Sequence, residues 1–147
     1  MQVNIDGLVY IDDYAHHPNE ISAALSSIKN KYPGHRYTAI FQPHLYSRTK
    51  DFAPEFAQAL SMVDRLILLD IYPAREEPIP GVTSEIIFND VTAPEKTLIR
   101  KDELLACIKE MELGEKEVFV TLGAGDIDRL VSPLAELLTE KHGKRNA

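Results

Sequence analysis

Apolar residues of this chain fall into short runs that alternate with stretches of helical spacing. Six runs rich in Val, Ile and Leu predict β-strands over residues 3–5, 8–11, 36–41, 65–70, 96–99 and 117–122. Apolar residues that recur every three or four positions predict helices after Pro18, over residues 52–60, 104–111 and 130–138, and a shorter one within 83–91. This alternation is typical of an α/β protein.

The order of the elements defines the expected fold class more closely. Strands separated by helices predict a mostly parallel sheet that is covered on both faces. The Asp6-Gly7 pair is typical of a hairpin turn, which makes the first strand antiparallel to the second. We therefore expect residues 1–147 to form one three-layer, Rossmann-like α/β domain with a six-stranded sheet. The last residues of this domain, 141–147, are expected to fray.

Four polar segments follow predicted strands: residues 12–20, 42–49, 70–81 and 123–126. In open α/β sheets, ligands bind beyond the carboxyl ends of the strands. Pro18 fits the first turn of a helix, so the first of these segments lies between a strand and a helix start. We expect the four segments to converge on one edge of the sheet.

Charge and composition narrow the class of partner. The formal net charge of −7 argues against a general nucleic-acid or anionic-membrane surface, which requires a basic face. A single cysteine, Cys107, excludes an internal disulfide framework. The sequence contains neither a signal peptide nor an apolar run long enough to span a bilayer. We predict a cytoplasmic protein.

Carboxylates and imidazoles are concentrated near the second predicted strand. Asp12, Asp13, His16 and His44 are residue types that bind zinc, manganese or iron, which raises the hypothesis of a stand-alone metal-dependent hydrolase. Their spacing matches no strong metal motif, and neighbouring histidines on an extended segment point in opposite directions. The sequence thus favours no metal site within this domain; a histidine orients a substrate, or His17 caps the helix.

Arg48 lies near the start of a predicted helix, where the helix dipole disfavours a cation. An anion is therefore expected to compensate its charge. Together with His44 it forms a candidate receptor for a carboxylate or phosphate, because a guanidinium can donate two parallel hydrogen bonds to such a group. A surface ion pair with Asp51 is the alternative.

Two further loops admit structural explanations. Gly123-Ala124-Gly125 lies between a strand and a helix, as in a dinucleotide-binding turn, but Asp128 occupies the place of the third glycine. The alternative is a tight turn with Asp126 as helix N-cap. Residues 75–81 indicate a rigid turn with solvated carboxylates at Glu76 and Glu77. A phosphate-binding loop and a nucleophile turn are both absent from the sequence, which predicts binding residues without a complete catalytic centre.

Taken together, the motifs resemble the C-terminal domain of the UDP-N-acetylmuramate:L-alanine ligases of the Mur ligase family. They are DDYAHHP at 12–18, FQPHLYSRT at 41–49, EEPIPG at 76–81 and GAGDI at 123–127. The resemblance implies an enzyme of peptidoglycan biosynthesis that joins L-alanine to UDP-N-acetylmuramate through an acyl phosphate, with ATP and Mg²⁺. It also implies a UDP-binding domain and a central ATPase domain, which holds most ATP and Mg²⁺ contacts, so that this chain alone is inactive.

The same resemblance assigns roles to individual residues. Asp13 is expected to bind the ATP ribose. Four side chains are expected around the alanine substrate: Tyr14, His16, His44 and Arg48. Gly123 and Asp126 are candidates for lining the same pocket. Leu45 stands where the family commonly has an arginine, and we hypothesise that Arg75 reaches the pocket from the neighbouring loop instead.

Overall fold

A six-stranded sheet forms the centre of the fold within residues 3–145, which the computed structural model describes. The strands are β1 (Val3–Ile5), β2 (Leu8–Asp13), β3 (Arg36–Phe41), β4 (Arg65–Leu68), β5 (Glu95–Leu98) and β6 (Glu117–Leu122). Their order across the sheet is β1-β2-β6-β3-β4-β5. β1 pairs antiparallel with β2 across a turn in which Gly7 has a φ of 83°, and the other pairs are parallel. The predicted fold class is confirmed.

Helices cover both faces of this sheet. They are α1 (Pro18–Lys31), α2 (Tyr46–Leu60), α3 (Glu85–Phe88), α4 (Leu104–Glu110) and α5 (Val131–Arg145). Short 3₁₀ helices, Lys101–Glu103 and Asp126–Leu130, lead into α4 and α5. One apolar core lies under α1, α2 and α3, and a second lies under α4 and α5. The connection that follows β6 therefore lies on the face opposite to those that follow β2 and β3.

The central strands supply both cores because successive side chains of a strand point to opposite faces. In β6, Val118 and Val120 pack in the first core and Phe119 packs in the second. All six residues of β6 are buried. This two-sided burial explains why the strands appear in the sequence as continuous apolar runs instead of alternating ones.

Three strands have ends that differ from the sequence prediction; β5 is shifted by one residue, to Glu95–Leu98. β2 continues to Asp13, because its parallel pairing with β6 extends as far as Leu122. β4 ends at Leu68, two residues before the predicted end. The Leu69 N–H still donates to the Phe41 carbonyl at 2.9 Å, but the neighbouring chain then reaches Pro43, which has no N–H to continue the ladder.

Helix α2 is kinked, which changes the expected apolar stripe. Phe52 has non-helical angles (φ −123°, ψ 18°) two residues before Pro54, whose ring is incompatible with an unbroken helix. Phe56 and Leu60 are buried as their spacing predicts, but Phe52 remains 41% exposed. The expectation that Phe52 shares their stripe is wrong.

The last helix continues further than the sequence indicates. Residues 141–145 are helical, so the predicted fraying of this segment is wrong; residues 146 and 147 lie outside the described range. His142 is buried, and the Lys141 ammonium donates to the Lys109 carbonyl at 2.9 Å, which holds α5 against α4. None of the described helices has the length and apolarity needed to cross a membrane.

Candidate functional site

The polar segments converge at the carboxyl ends of β2, β6 and β3, which are adjacent in the sheet. The chain leaves β2 and β3 toward helices on one face and leaves β6 toward α5 on the other face. Such a divergence opens a crevice in which α/β proteins bind ligands. We call this edge of the sheet the carboxyl rim; it comprises residues 12–17, 42–48, 69–77 and 123–126.

The β2–α1 loop begins with two aspartates that have different roles. Asp13 Oδ1 accepts a hydrogen bond from the Ala15 N–H at 2.8 Å, which fixes the turn after the strand. Asp12 instead accepts the hydroxyl of Thr121 on β6 at 2.7 Å. Tyr14, between the turn and the helix, is 71% exposed. Asp13 and Tyr14 thus face an open surface hollow, whereas Asp12 is bound to the sheet.

Glu20 of α1 closes this loop from the helix side. One of its carboxylate oxygens accepts the backbone N–H groups of His16 and His17, at 3.2 and 3.0 Å. These bonds lower the pKa of Glu20, so the carboxylate is ionised at the start of α1. His17 occupies the N-cap, as one of the sequence alternatives proposed.

His16 has a defined tautomer because of a backbone contact. Its Nδ1 lies 2.9 Å from the Tyr14 carbonyl oxygen, which can only accept, so Nδ1 carries the proton. The Nε2 lone pair is therefore available. The ring contacts Tyr14 edge-on, with centroids 5.3 Å apart, and its centroid is 6.3 Å from that of His44 on the neighbouring loop.

His44 and Arg48 contact each other directly. The guanidinium Nη1 of Arg48 lies 3.0 Å from His44 Nδ1, and because a guanidinium only donates, Nδ1 is the acceptor. The remaining proton of a neutral His44 ring is then on Nε2. Burial, followed by the charge of Arg48, holds the pKa of His44 below its usual range. Among the ion pairs of residues 3–145, none joins Arg48 to Asp51.

The backbone before Arg48 is strained. Leu45 has φ 71° and ψ 139°, a region that is essentially restricted to glycine. Its N–H donates to the Tyr72 carbonyl at 2.9 Å, and the Tyr72 N–H donates to the Pro43 carbonyl at 2.8 Å. Strain of this kind persists only where the surroundings impose it, and here the paired loops fix the direction in which α2 begins.

Glu76 was expected to be solvated, and this expectation is wrong. Its carboxylate accepts both the backbone N–H of Ser47, at 3.1 Å, and the Ser47 hydroxyl. The first turn of α2 has no acidic residue of its own, so a carboxylate from another loop supplies the favourable charge there. These bonds lower the pKa of Glu76. The adjacent Arg75 is exposed.

The Gly123-Ala124-Gly125 turn packs against protein. A Cβ on Gly123, where φ is 140°, would lie 2.9 Å from the Gln42 carbonyl oxygen. A Cβ on Gly125 would lie 2.5 Å from Gln42 Oε1 and 2.8 Å from the Tyr72 side chain. Both glycines are thus required by close packing. Tyr72 in turn stacks on His44, with ring centroids 5.8 Å apart.

Asp126 is not the N-cap that the sequence offered as an alternative; Gly125 is. The Asp126 carboxylate instead accepts a hydrogen bond from the buried Gln42 amide at 2.8 Å and pairs with the Lys101 ammonium. The Gln42 amide oxygen also accepts the Ile127 N–H at 3.0 Å. The Lys101 and Gln42 hydrogen bonds hold the pKa of Asp126 low against the effect of its burial, which is the larger single influence.

A separate cavity of about 330 Å³ opens beside the carboxyl ends of β4 and β5. Its polar groups are bonded locally: Asp70 accepts the Lys101 N–H at 3.0 Å, and the Ser84 hydroxyl donates to the Leu69 carbonyl at 2.6 Å. A hollow of about 450 Å³ extends from Asp13 and Tyr14 of the carboxyl rim along the side of α1. We place the candidate site at the rim, where Arg48 and His44 retain donors.

The structure gives no support to the stand-alone hydrolase. Among residues 3–145, the group of side chains that could hold a metal ion is His16, His17 and Glu20, so Asp12, Asp13 and His44 are not part of it. The expectation that the rings of His16 and His17 point apart is wrong. Their centroids are 4.7 Å apart, because the chain turns into α1 at Pro18.

The site includes residues that the sequence analysis did not select. These are Gln42, Tyr72, Glu76 and Lys101, which hold the loops in register. Three of them lie in the polar segments that follow strands, so their position was a usable signal. Lys101 also follows a strand, β5, but its partner Asp126 is distant in the sequence.

Comparison with known proteins now decides the family. The sequence model of the family described as "Mur ligase, glutamate ligase domain" matches residues 1–125. The chain belongs to the Mur ligase family. Its residues are 57% identical over 136 positions to the UDP-N-acetylmuramate–L-alanine ligase of Parabacteroides distasonis, covering 92% of this chain and 29% of that protein. The enzyme of the same name from Cytophaga hutchinsonii is 47% identical, covering 95% and 29%.

Solved structures agree with this assignment of the Mur ligase domain. The UDP-N-acetylmuramate-alanine ligase of Thermotoga maritima has a TM-score of 0.70 and 26% identity, covering 92% of this chain and 27% of that one. A domain of a Haemophilus ducreyi ligase shares the fold, with a TM-score of 0.67 and 18% identity, and 92% of this chain covers 95% of it. The chain spans less than a third of the length of the curated relatives it matches.

Proposed function

We propose that this Mur ligase domain works in an ATP-dependent ligase that joins L-alanine to UDP-N-acetylmuramate in cytoplasmic peptidoglycan biosynthesis. A UDP-binding domain and a central ATPase domain would complete the enzyme, and the isolated domain would be inactive. The observation that carries the proposal is the pair of donors formed by His44 and Arg48 at the carboxyl rim. The similarity to alanine-adding ligases supports the choice of substrate.

Arg48 and His44 are suited to bind the carboxylate of alanine. Because His44 accepts from Arg48 through Nδ1, its Nε2–H remains a donor, and the guanidinium keeps further N–H groups. Both residues therefore present donors to one anion while the imidazole itself stays neutral. His16 and Tyr14, which contact each other edge-on, would form the adjacent wall of this pocket.

Asp13 would bind the ribose of ATP from the other side of the same loop. Its Oδ1 is used by the Ala15 N–H, which orients the carboxylate and leaves Oδ2 to accept ribose hydroxyls. The hollow beside Asp13 and Tyr14 is open enough for a sugar to approach. Mg²⁺ would be held mainly by the central domain and would neutralise charge on the phosphates of ATP.

The reaction would proceed by transfer of the γ-phosphoryl group of ATP to the UDP-sugar carboxylate, which releases ADP. The alanine amine would then attack the acyl phosphate, form the amide bond and release inorganic phosphate. This chain would contribute orientation: the carboxylate clamp fixes alanine, so that its amine faces the acyl carbon. Gly123 and Asp126 would act mainly by holding Gln42, which lies two residues before His44. Arg75, exposed after the left-handed Ala74 (φ 53°), would add a contact that Leu45 cannot make.

Substitution of Arg48 in the complete three-domain enzyme tests this proposal. Loss of a charge-assisted hydrogen bond is typically worth about 1.5–3 kcal/mol, so Arg48→Ala should lower kcat/KM for alanine by about 10- to 150-fold. The KM for UDP-N-acetylmuramate should change little. Arg100→Ala, at an exposed arginine paired with Asp102, is the matched control and should leave both constants unchanged. Equal losses for alanine and the UDP-sugar in Arg48→Ala would contradict the assignment.

A further inference from the structure

His16, His17 and Glu20 form a cluster that the proposed reaction uses only in part. One nitrogen or oxygen atom of each side chain lies within 4.8 Å of the others. The two rings are tilted by 39°, with centroids 4.7 Å apart, and His16 Nδ1 lies 3.6 Å from Glu20 Oε1. The cluster brings two imidazoles and one carboxylate to one side of the start of α1.

Hydrogen bonds to the backbone hold the side chains of His16 and Glu20 and use His16 Nδ1 and Glu20 Oε1, so an ion would be bound by the remaining atoms of these side chains. His16 donates Nδ1–H to the Tyr14 carbonyl, which leaves the Nε2 lone pair, the form in which imidazole binds metals. Glu20 uses Oε1 for two backbone N–H groups, which holds the carboxylate in place and leaves Oε2. Backbone contacts of this kind fix the ligands of metal sites in proteins.

We propose that His16, His17 and Glu20 form a binding site for one divalent transition-metal ion, with Zn²⁺ as the best match. Two imidazoles and a carboxylate are a ligand set that zinc uses, with water in the fourth position. Mg²⁺ and Ca²⁺ prefer oxygen ligands and would not be favoured by two nitrogens. The ion would lie at the surface, since the side chains of His16 and Glu20 are 20% and 50% exposed.

The helix dipole opposes a cation at this position, because α1 presents its positive end there. The ionised Glu20 carboxylate offsets this effect, since it lies at the same helix end and would contact the ion directly. The dipole interaction is weak at an exposed terminus, whereas two imidazole nitrogens form direct bonds to the metal. The site therefore favours a transition metal, which bonds to the imidazole nitrogens, over Mg²⁺ or Ca²⁺.

Occupation of this site by an ion would interfere with the binding of alanine, and this consequence rests on the proposed function. Zn²⁺ would use His16, whose ring centroid lies 6.3 Å from that of His44 in the proposed alanine pocket. The ion would therefore compete with the amino acid. The KM for the UDP-sugar, which is proposed to bind another domain, should be unaffected.

Calorimetric titration of the purified chain with ZnCl₂ tests the site itself. We expect one ion per chain, and we expect His17→Asn and Glu20→Gln each to weaken binding by about tenfold or more. Both substitutions keep the helix start: Asn is a good N-cap residue, and Gln can still accept the two backbone N–H groups. Circular dichroism verifies that each variant is folded.

His35→Asn is the matched control. Its ring also contacts a carbonyl two residues earlier, with Nδ1 3.2 Å from the Pro33 oxygen, but it lies at the opposite end of α1. This variant should bind Zn²⁺ within twofold of the unmodified chain. Unchanged affinity in His17→Asn and Glu20→Gln, or an equal loss in His35→Asn, would overturn the proposed site.

Kinetics of the three-domain enzyme separate the site from its consequence. With Mg²⁺ in excess, micromolar Zn²⁺ should raise the apparent KM for alanine, and Glu20→Gln should relieve this inhibition by about tenfold. If calorimetry shows the site but Zn²⁺ does not compete with alanine, the metal site stands and the alanine-binding role of His16 is wrong.

Discussion

The two ends of the sheet both carry charged clusters, but their hydrogen bonding differs. At the amino-terminal end, Glu117 is 1% exposed and accepts bonds from the Arg36 guanidinium and from the Gly114 N–H at 2.6 Å. Arg65 lies 3.6 Å from the same carboxylate. At the carboxyl rim, Arg48 and His44 contact each other, and within residues 3–145 neither forms an ion pair with a carboxylate.

The two clusters differ in whether their charges are neutralised within the domain. The amino-terminal cluster neutralises its own charge: the Glu117 hydrogen bond raises the pKa of Arg36, while burial lowers that of Arg65, whose Nε donates to Thr38 at 3.1 Å. At the rim, the ionised Glu76 carboxylate is bonded to Ser47, and among residues 3–145 no carboxylate is hydrogen-bonded to Arg48 or His44. On the proposed function, the alanine carboxylate would supply the acceptor that Arg48 and His44 do not find within the domain.

Removal of Glu117 should give the largest effect on stability. Glu117→Ala leaves Arg65 buried beside Phe119 without its main counter-charge, and such a loss typically costs about 3–5 kcal/mol. Urea unfolding measures the change. The control is Glu95→Ala, because Glu95 also pairs with Arg65, at 3.8 Å, but is 61% exposed and should contribute about 0–1 kcal/mol. Equal effects of the two substitutions would show that the buried Glu117 contributes no more to stability than the exposed Glu95.

Gly125→Ala should have an intermediate effect and should act through the rim. The added methyl group would collide with Gln42 and Tyr72, and overpacking of this kind costs about 1–3 kcal/mol. Because Tyr72 stacks on His44, alanine use by the complete enzyme should fall as well. The control is Gly143→Ala within α5, where the methyl group meets open space and should stabilise by about 0.5–1 kcal/mol. A neutral Gly125→Ala would contradict the packing role of this turn.

The smallest expected effect is the pH dependence contributed by His44. Its folded-state pKa is below the value of about 6.5 in the unfolded chain, so the folded state binds fewer protons. Stability is therefore lost as pH falls from about 6.5 through the lowered pKa, and it is unaffected above that window. His44→Asn should remove this contribution to acid destabilisation. The loss of unfolding free energy on acidification should shrink by less than about 1 kcal/mol, because the ring is partly solvated. Urea midpoints at pH 7.5 and 5.5 measure it; an unchanged difference between them would contradict a neutral His44.

Local pattern was sufficient for most of the fold. The apolar runs located all six strands within residues 3–145, and the Asp6-Gly7 pair correctly gave the antiparallel hairpin. The errors arose where a partner decided the outcome. Phe52 left its stripe because Pro54 kinks α2, and residues 141–145 stayed helical because His142 and Lys141 contact the body of the domain.

Local sequence pattern was enough to show which segments are buried, which segments follow a strand, and which residue types stand there. It therefore located the rim and the family resemblance. Which of these polar groups bond to one another could be seen only in the folded domain. Glu76 bonds to Ser47, Asp126 bonds to Lys101, and the His16 and His17 rings converge, because each contact joins atoms whose distance depends on how separate loops meet. Chain periodicity fixes the direction of side chains within an element, whereas hydrogen-bond satisfaction depends on distances between elements.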